Sequence, residues 1–215
     1  MNDEIAFYHN PRTRGRIVHW MLEEVGAPYR IVLLDFAKRE HKAKEYLDVN
    51  PMGKVPAIVH RGVAVTEASA ICAYLADAFP AAGLAPALDD PQRGAYMRWL
   101  FFGASSVEYA MVDRMLGRPP AADSGTIGYG SYDDVVAVLE KALTPGPWLL
   151  GDRFSAADVY VGSQIGFGLM RNVPGRERLP GFDPRPAFTA YVERNAERPA
   201  FQRAVAQNGT AEVTR

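Results

Sequence analysis

The chain has a single cysteine, Cys72, so no internal disulfide can form and no cysteine-rich metal site can be assembled. A surplus of charge is also missing. With 24 Lys and Arg against 25 Asp and Glu, the net charge is −1, whereas a nucleic-acid binder normally carries a basic excess to match the phosphate backbone. No apolar run approaches the ~20 residues needed to span a bilayer. The start, Met1-Asn2-Asp3-Glu4, is acidic and lacks the apolar core of an export signal. The expected location is therefore cytoplasmic, with no membrane and no nucleic acid among the partners. His19 and His60 have no second ligand at metal-binding spacing, so no metal is expected. There are no internal repeats and no low-complexity tract. What remains is 215 residues, 48% hydrophobic and 23% charged, long enough for one large or two small domains with a sizeable core.

Periodicity divides the chain in two. Ile5 to His9 is a β-prone run, followed by the turn Asn10-Pro11. From Arg14, residues Ile17, Met21 and Val25 recur at helical spacing, and Gly26 is a suitable C-terminal stop. Tyr29, Ile31 and Leu33 alternate as a second strand. The order β-α-β predicts a parallel pair with a helical crossover. Lys38 to Asp48 is charged and reads as a short exposed helix or loop anchored by Tyr46 and Leu47. Ala57 to His60 and Val63 to Val65 form strands around the tight turn Arg61-Gly62. A helix then runs from Glu67 through Ile71, Tyr74, Leu75 and Ala78 until Phe79-Pro80 stops it.

Beyond Pro80 the pattern is helical throughout. Asp90-Pro91 offers an N-cap and a first-turn proline, and the helix is expected to run through Trp99, Leu100 and Phe101 toward Met115. Gly117 to Gly130 is a loop. Ser131 with Asp134 starts another helix, and Ser155-Ala156-Ala157-Asp158 is a capping box with Asp at the third position. Two shorter helices, near 188–195 and 199–206, close the chain, and the tail from Asn208 reads as frayed. The fold class is α/β plus all-α. The expected boundaries are a first domain at 1–79, a linker at 80–86 and a helical domain at 87–207.

One stretch is out of the ordinary: Asn50-Pro51-Met52-Gly53-Lys54-Val55-Pro56-Ala57-Ile58-Val59. It begins in turn chemistry and ends in a strand, with Pro56 at the strand entrance, where a missing N–H is tolerated. The Val55-Pro56 bond is a candidate cis peptide. Such a bond would turn the N–H and C=O of Val55 outward, where an extended peptide could pair with them by strand addition. Otherwise the stretch is an ordinary loop into an edge strand.

A small β-α-β-α-β-β-α domain with a proline at its third strand, joined to an all-helical domain, resembles the cytosolic glutathione transferases. The resemblance rests on three segments. Residues 50–57 match that family's N-P-x-G-K-V-P-x segment. Thr66-Glu67-Ala68-Ser69-Ala70-Ile71 is similar to its E-S-x-A-I segment, and Phe154-Ser155-Ala156-Ala157-Asp158 to the capping box of its second domain. The branch most similar is the bacterial, theta-like or fungal-type one with P-x-S-R. The resemblance implies a thioredoxin-like first domain that binds glutathione as co-substrate without a metal. The helical domain would contribute a pocket for a hydrophobic electrophile, and the assembly would be a homodimer. It also implies site residues. Val55 and Pro56 would present the edge, and Glu67 would pair with the ligand's ammonium. Backbone N–H groups at Ala68 and Ser69 would hold its α-carboxylate, and Lys54 and His41 would meet the glycyl carboxylate. Thr13 falls on the P-x-S-R serine, where its hydroxyl would donate to the glutathione thiolate, aided by the helix macrodipole. Thr13 also suits the N-cap of that helix, Arg12 and Arg14 flank it, and Tyr8 is the fallback donor. Ala68 departs from the family's serine, which removes a hydroxyl worth roughly 1–2 kcal/mol at most to carboxylate binding.

The activity expected from this resemblance is that of a glutathione S-transferase: activation of the thiol and its conjugation to a small electrophile in a detoxification reaction. Alternatives on the same scaffold are a glutathione-dependent peroxidase, lyase or isomerase, or a non-catalytic interaction module. Cys72 follows Ile71 on an apolar helix face and reads as a buried, inert thiol. Trp99, Phe101, Phe102, Tyr109, Met111 and Met115 read as partly core and partly lining.

Overall fold

The computed structural model of the chain describes residues 3–120, 123–170 and 181–210. These residues divide into two compact units, one comprising the described residues up to 84 and from 197 to 210, the other those between 85 and 196.

The first unit is built on a four-stranded sheet of order β2-β1-β3-β4, with β1 at Ile5–His9, β2 at Tyr29–Leu33, β3 at Ala57–His60 and β4 at Val63–Thr66. β1 and β2 are parallel, joined by helix α1 (Gly15–Val25), while β3 and β4 form an antiparallel hairpin. Gly26 ends α1 in the left-handed conformation at φ 64°, which glycine adopts without a Cβ clash. Side chains alternate across the sheet. Ile5, Phe7 and His9 point to one side and are fully buried, with Phe7 stacked on His9 and in ring contact with His19 of α1. Ala6 and Tyr8 lie on the other row, and Tyr8 packs on a small cluster of Leu34, Tyr46 and Ala57. The charged connection after β2 holds a single 3-10 turn and the short helix α2 (Lys44–Leu47), whose buried residue is Tyr46. Helix α3 (Ala68–Ala78) follows β4 directly and packs against α1.

The end of the chain belongs to this unit. Helix α9 (Pro199–Thr210) lies along α1, whereas the sequence pattern assigns 199–206 to a helical domain of 87–207 and frays the chain from Asn208. Two observations account for the difference. Arg198 and Arg203 pair with Glu24 and Glu23 at 2.6 Å, and Phe201 meets Trp20 edge to face. Beyond them, Gln207 and Asn208 are held by buried histidines. These partners lie more than 170 residues apart in sequence and leave no local signature.

The second unit is all helical. α4 (Arg93–Phe102) continues through a single π turn (Gly103–Val107) into α5 (Glu108–Met115). The start falls three residues after Asp90, because Asp90 caps a preceding turn, accepting from Gln92 N–H and from Arg153. Ser131 caps α6 (Tyr132–Leu143) by accepting from Asp134 N–H. α7 (Ala156–Leu169) is buried almost all round, as a helix apolar on every face must be. Its capping box is complete, and Asp158 also accepts from Leu149 N–H and from the Tyr191 hydroxyl of α8 (Pro186–Ala196), both at 2.8 Å. Trp99, Met111 and Met115 are core, whereas Phe101 and Tyr109 are 66% and 60% exposed. No helix among the described residues is long and apolar enough to cross a membrane.

Candidate functional site

The sheet register brings the separate segments together. Ala57 pairs with Tyr8 on one side and Thr66 on the other, and His9 pairs with Leu33. The loop after β1, the basic connection after β2, the entrance to β3 and the exit from β4 therefore open at one end of the sheet. Thr13, His41, Lys54, Val55, Pro56, Glu67, Ala68 and Ser69 all lie in these segments.

At the entrance to β3, the Val55-Pro56 peptide bond is cis. Among the described residues, the Val55 N–H and C=O make no hydrogen bond. The preceding turn is strongly held. Asn50 is buried, accepts from Met52 N–H at 3.1 Å and donates to Lys54 C=O at 2.7 Å. The Tyr46 hydroxyl donates to the same carbonyl, and burial pushes that phenol up to about 12, so it stays a donor. Gly53 is required twice over. Its φ is 58°, and a Cβ there would sit 2.6 Å from the His41 carbonyl oxygen.

Thr66 leads into Glu67, which has φ 64° and ψ 119°, an unusual conformation for a residue with a Cβ. Glu67 is exposed and its C=O accepts from Ile71 N–H at 2.8 Å. The N–H groups of Ala68, Ser69 and Ala70 make no hydrogen bond among the described residues. They are the unpaired donors of a helix N-terminus, a natural anion site. Ser69 is half-buried, with no hydrogen bond from its hydroxyl among the described residues.

The basic end is a cluster. His41 rests against Phe36 at 4.4 Å between ring centroids. Its pKa is lowered by burial and by the charges of Lys42, Arg39 and Lys54. Lys42 donates to Met52 C=O at 2.8 Å, while Lys54 is exposed. Arg39 and Lys42 thus join the two basic residues singled out from the sequence.

Thr13 is half-buried in the loop between β1 and α1. Its hydroxyl donates to Asn10 C=O at 2.7 Å and accepts from Gly15 N–H at 3.1 Å. It thus supports the helix start, although the position just before α1 is Arg14. Asn10 is the organiser of this loop, accepting from Arg12 N–H and donating to Leu34 C=O, both at 3.0 Å. The Tyr8 hydroxyl has no hydrogen bond among the described residues, and its ring lies beside that of Tyr46; Val55 packs against the same small cluster. Cys72 is fully buried and burial pushes its thiol up, so it takes no part.

Sequence reasoning passed over three residues that shape this end of the sheet. Asn10 and Asn50 each sit two residues before the N–H they accept, the spacing of an Asx turn, which was available as a signal. His9 is in phase with Ile5 and Phe7, so its parity already assigned it to the buried face.

Comparison with known proteins gives the family. The glutathione S-transferase N-terminal domain model matches residues 4–77, and the corresponding C-terminal domain model matches residues 110–194. Glutathione S-transferase GstA of Escherichia coli O157:H7 is 26% identical over 95% of this chain and 99% of its own. The disulfide-bond oxidoreductase YfcG of Escherichia coli K12 is 29% identical over 94% of each. A sphingomonad glutathione S-transferase, solved in complex with glutathione, is 31% identical with a TM-score of 0.74, covering 96% of this chain and 100% of its own. The chain belongs to the glutathione S-transferase family, with a thioredoxin-like first unit and a helical second one.

Proposed function

We propose that this chain binds glutathione at the open end of the sheet and conjugates its sulfur to a small electrophile. The observation that carries the reading is the unpaired Val55 N–H and C=O beside a cis proline, next to the three unpaired N–H groups at the start of α3. A tripeptide with one central amide pairs with the first as a minimal added strand. Its α-carboxylate takes the helix N-terminus, with Glu67 facing the ammonium, and the cluster of His41, Lys54, Lys42 and Arg39 meets the other carboxylate.

Thr13 is the thiolate's donor in this reading. A hydroxyl has one proton, and Thr13 donates its own to Asn10 C=O. A thiolate within reach competes well for it, because hydrogen bonds to an anion are roughly twice as strong as neutral ones. The sulfur is then held ionised beside the N-terminus of α1, and rate gain follows from thiolate fraction and from holding two reactants together. Tyr8 is the competing donor.

Two measurements test this. Calorimetric titration with glutathione should show binding, and its absence at millimolar ligand would leave a non-catalytic module. The ultraviolet absorption of bound thiolate should move to higher pH in Thr13→Val and stay in Tyr8→Phe; the reverse would transfer the role to Tyr8. The similarity to YfcG supports a second reading, glutathione-dependent disulfide exchange. Because Cys72 is buried, this would run on glutathione sulfurs alone. One thiolate attacks a substrate disulfide and expels a thiolate, and a second glutathione resolves the mixed disulfide to oxidised glutathione and the second thiol. Turnover of a small dialkyl disulfide exceeding that of aryl halides would favour it.

A further inference from the structure

Three elements meet at the His9 ring. His9 closes the inward row of β1 and is fully buried. Its Nε2 lies 2.8 Å from Asn208 Oδ1 on α9. Asn208 Nδ2 donates to Ala204 C=O at 2.7 Å, which fixes the amide with its oxygen toward the ring. Nε2 therefore carries the proton, and Nδ1 is left bare, with no hydrogen-bond partner among the described residues. That bare nitrogen faces Gly15, the first residue of α1. A Cβ on residue 15 would lie 2.3 Å from Nδ1 and 3.1 Å from Thr13 Oγ1. The ring and the threonine hydroxyl thus flank the space that glycine leaves open. Gly15 N–H in turn donates to Thr13 Oγ1.

The contacts form one chain: Asn208 orients His9, His9 sets how closely the first turn of α1 approaches the sheet, and Gly15 N–H fixes the Thr13 oxygen. α9 is itself tied to α1 by the Arg198–Glu24 and Arg203–Glu23 pairs. His19 reinforces it: its Nε2 lies 2.7 Å from Gln207 Oε1, and its ring is 5.6 Å from that of His9. Resting on the glutathione reading above, we propose that Asn208 is a positioning residue for thiol activation, acting through the His9 ring on the Thr13 hydroxyl. The two buried histidines are otherwise an odd use of core space. Their ring nitrogens give α9 a directional grip that two leucines would lack.

Two variants test it. Asn208→Ala removes the acceptor, and Asn208→Asp keeps an oxygen at the same reach. In Asn208→Ala the amide resonances of Gly15 and Thr13 should move while that of Cys72 on α3 stays. The thiolate absorption of bound glutathione should shift to higher pH. With an aryl halide as electrophile, kcat should fall about tenfold, the scale of a sub-ångström misplacement, while calorimetric affinity for glutathione changes less than about twofold. Asn208→Asp should restore most of kcat and the thiolate signal. Unmoved Gly15 and Thr13 resonances overturn the proposal. So do moved resonances with unchanged kcat, or a loss that Asp does not rescue and that follows the melting temperature. A wild type that binds no glutathione instead overturns the proposed function itself, and the positioning role with it.

Discussion

Acid should weaken this protein through His9. The ring is completely buried, and burial, offset in part by the Asn208 bond, lowers its pKa from 6.5 to about 4. The unfolded chain, with an ordinary imidazole, binds that proton first as the pH falls. In the window between 6.5 and 4 the unfolded state therefore holds more protons than the folded one, and lowering pH favours unfolding. Stability is full above about pH 6.5 and is lost progressively down to about 4. The gap between the two values, at about 1.4 kcal/mol per pH unit, amounts to about 3 kcal/mol, a large share of the roughly 5–15 kcal/mol that holds a typical domain together. The assay is urea unfolding of wild type and His9→Gln between pH 7 and 4.5, where glutamine keeps a donor toward Asn208 without a titrating ring. Asp3, held below the usual carboxylate range by Arg61, and Glu23, whose bonds from Tyr29, Arg203 and Gln207 outweigh its burial, are common to both proteins and cancel in the difference. The wild type should lose stability relative to the variant as pH falls. Parallel profiles within about 0.5 kcal/mol, the scale of an ordinary surface change, would refute a buried neutral His9.

Three further outcomes follow from the same contacts. Gly15→Ala pushes a methyl into the His9 ring, which is pinned by Phe7 and Asn208. It should cost about 1–3 kcal/mol in urea unfolding, and a neutral effect would mean the ring is free to move. Ala68→Ser restores a hydroxyl at the start of α3 and should tighten glutathione binding by about 1 kcal/mol, roughly fivefold, in calorimetry; no gain would show that backbone donors alone hold the carboxylate. Asp158→Ala leaves Leu149 N–H, Ser155 N–H and the Tyr191 hydroxyl without their acceptor in the core. It should destabilise by about 2–4 kcal/mol, and a loss under about 1 kcal/mol would show that these donors find other partners.

Much of the fold was legible because its signals are local. Alternation in Ile5–His9 and Tyr29–Leu33, Gly26 as a helix stop, Pro56 before a strand, the Ser131 N-cap and the Ser155–Asp158 capping box each act within a few residues. The structure follows them closely. The basic end of the candidate site was only half legible. His41 and Lys54 stood out by motif, whereas Arg39 and Lys42 join them because of how the loop after β2 folds back on Met52.

The sequence by itself determined the strand and helix order, the proline edge and the unpaired helix start, since these need only backbone chemistry and short-range spacing. Tertiary structure alone decided that α9 returns to α1, that Asn208 is ordered rather than frayed, and that His9 lies against Gly15. Those outcomes depend on hydrogen bonds and ion pairs across as many as 199 residues. Such pairings are set by the surface that the sheet and α1 present to the last helix, and no local pattern in the sequence encodes them.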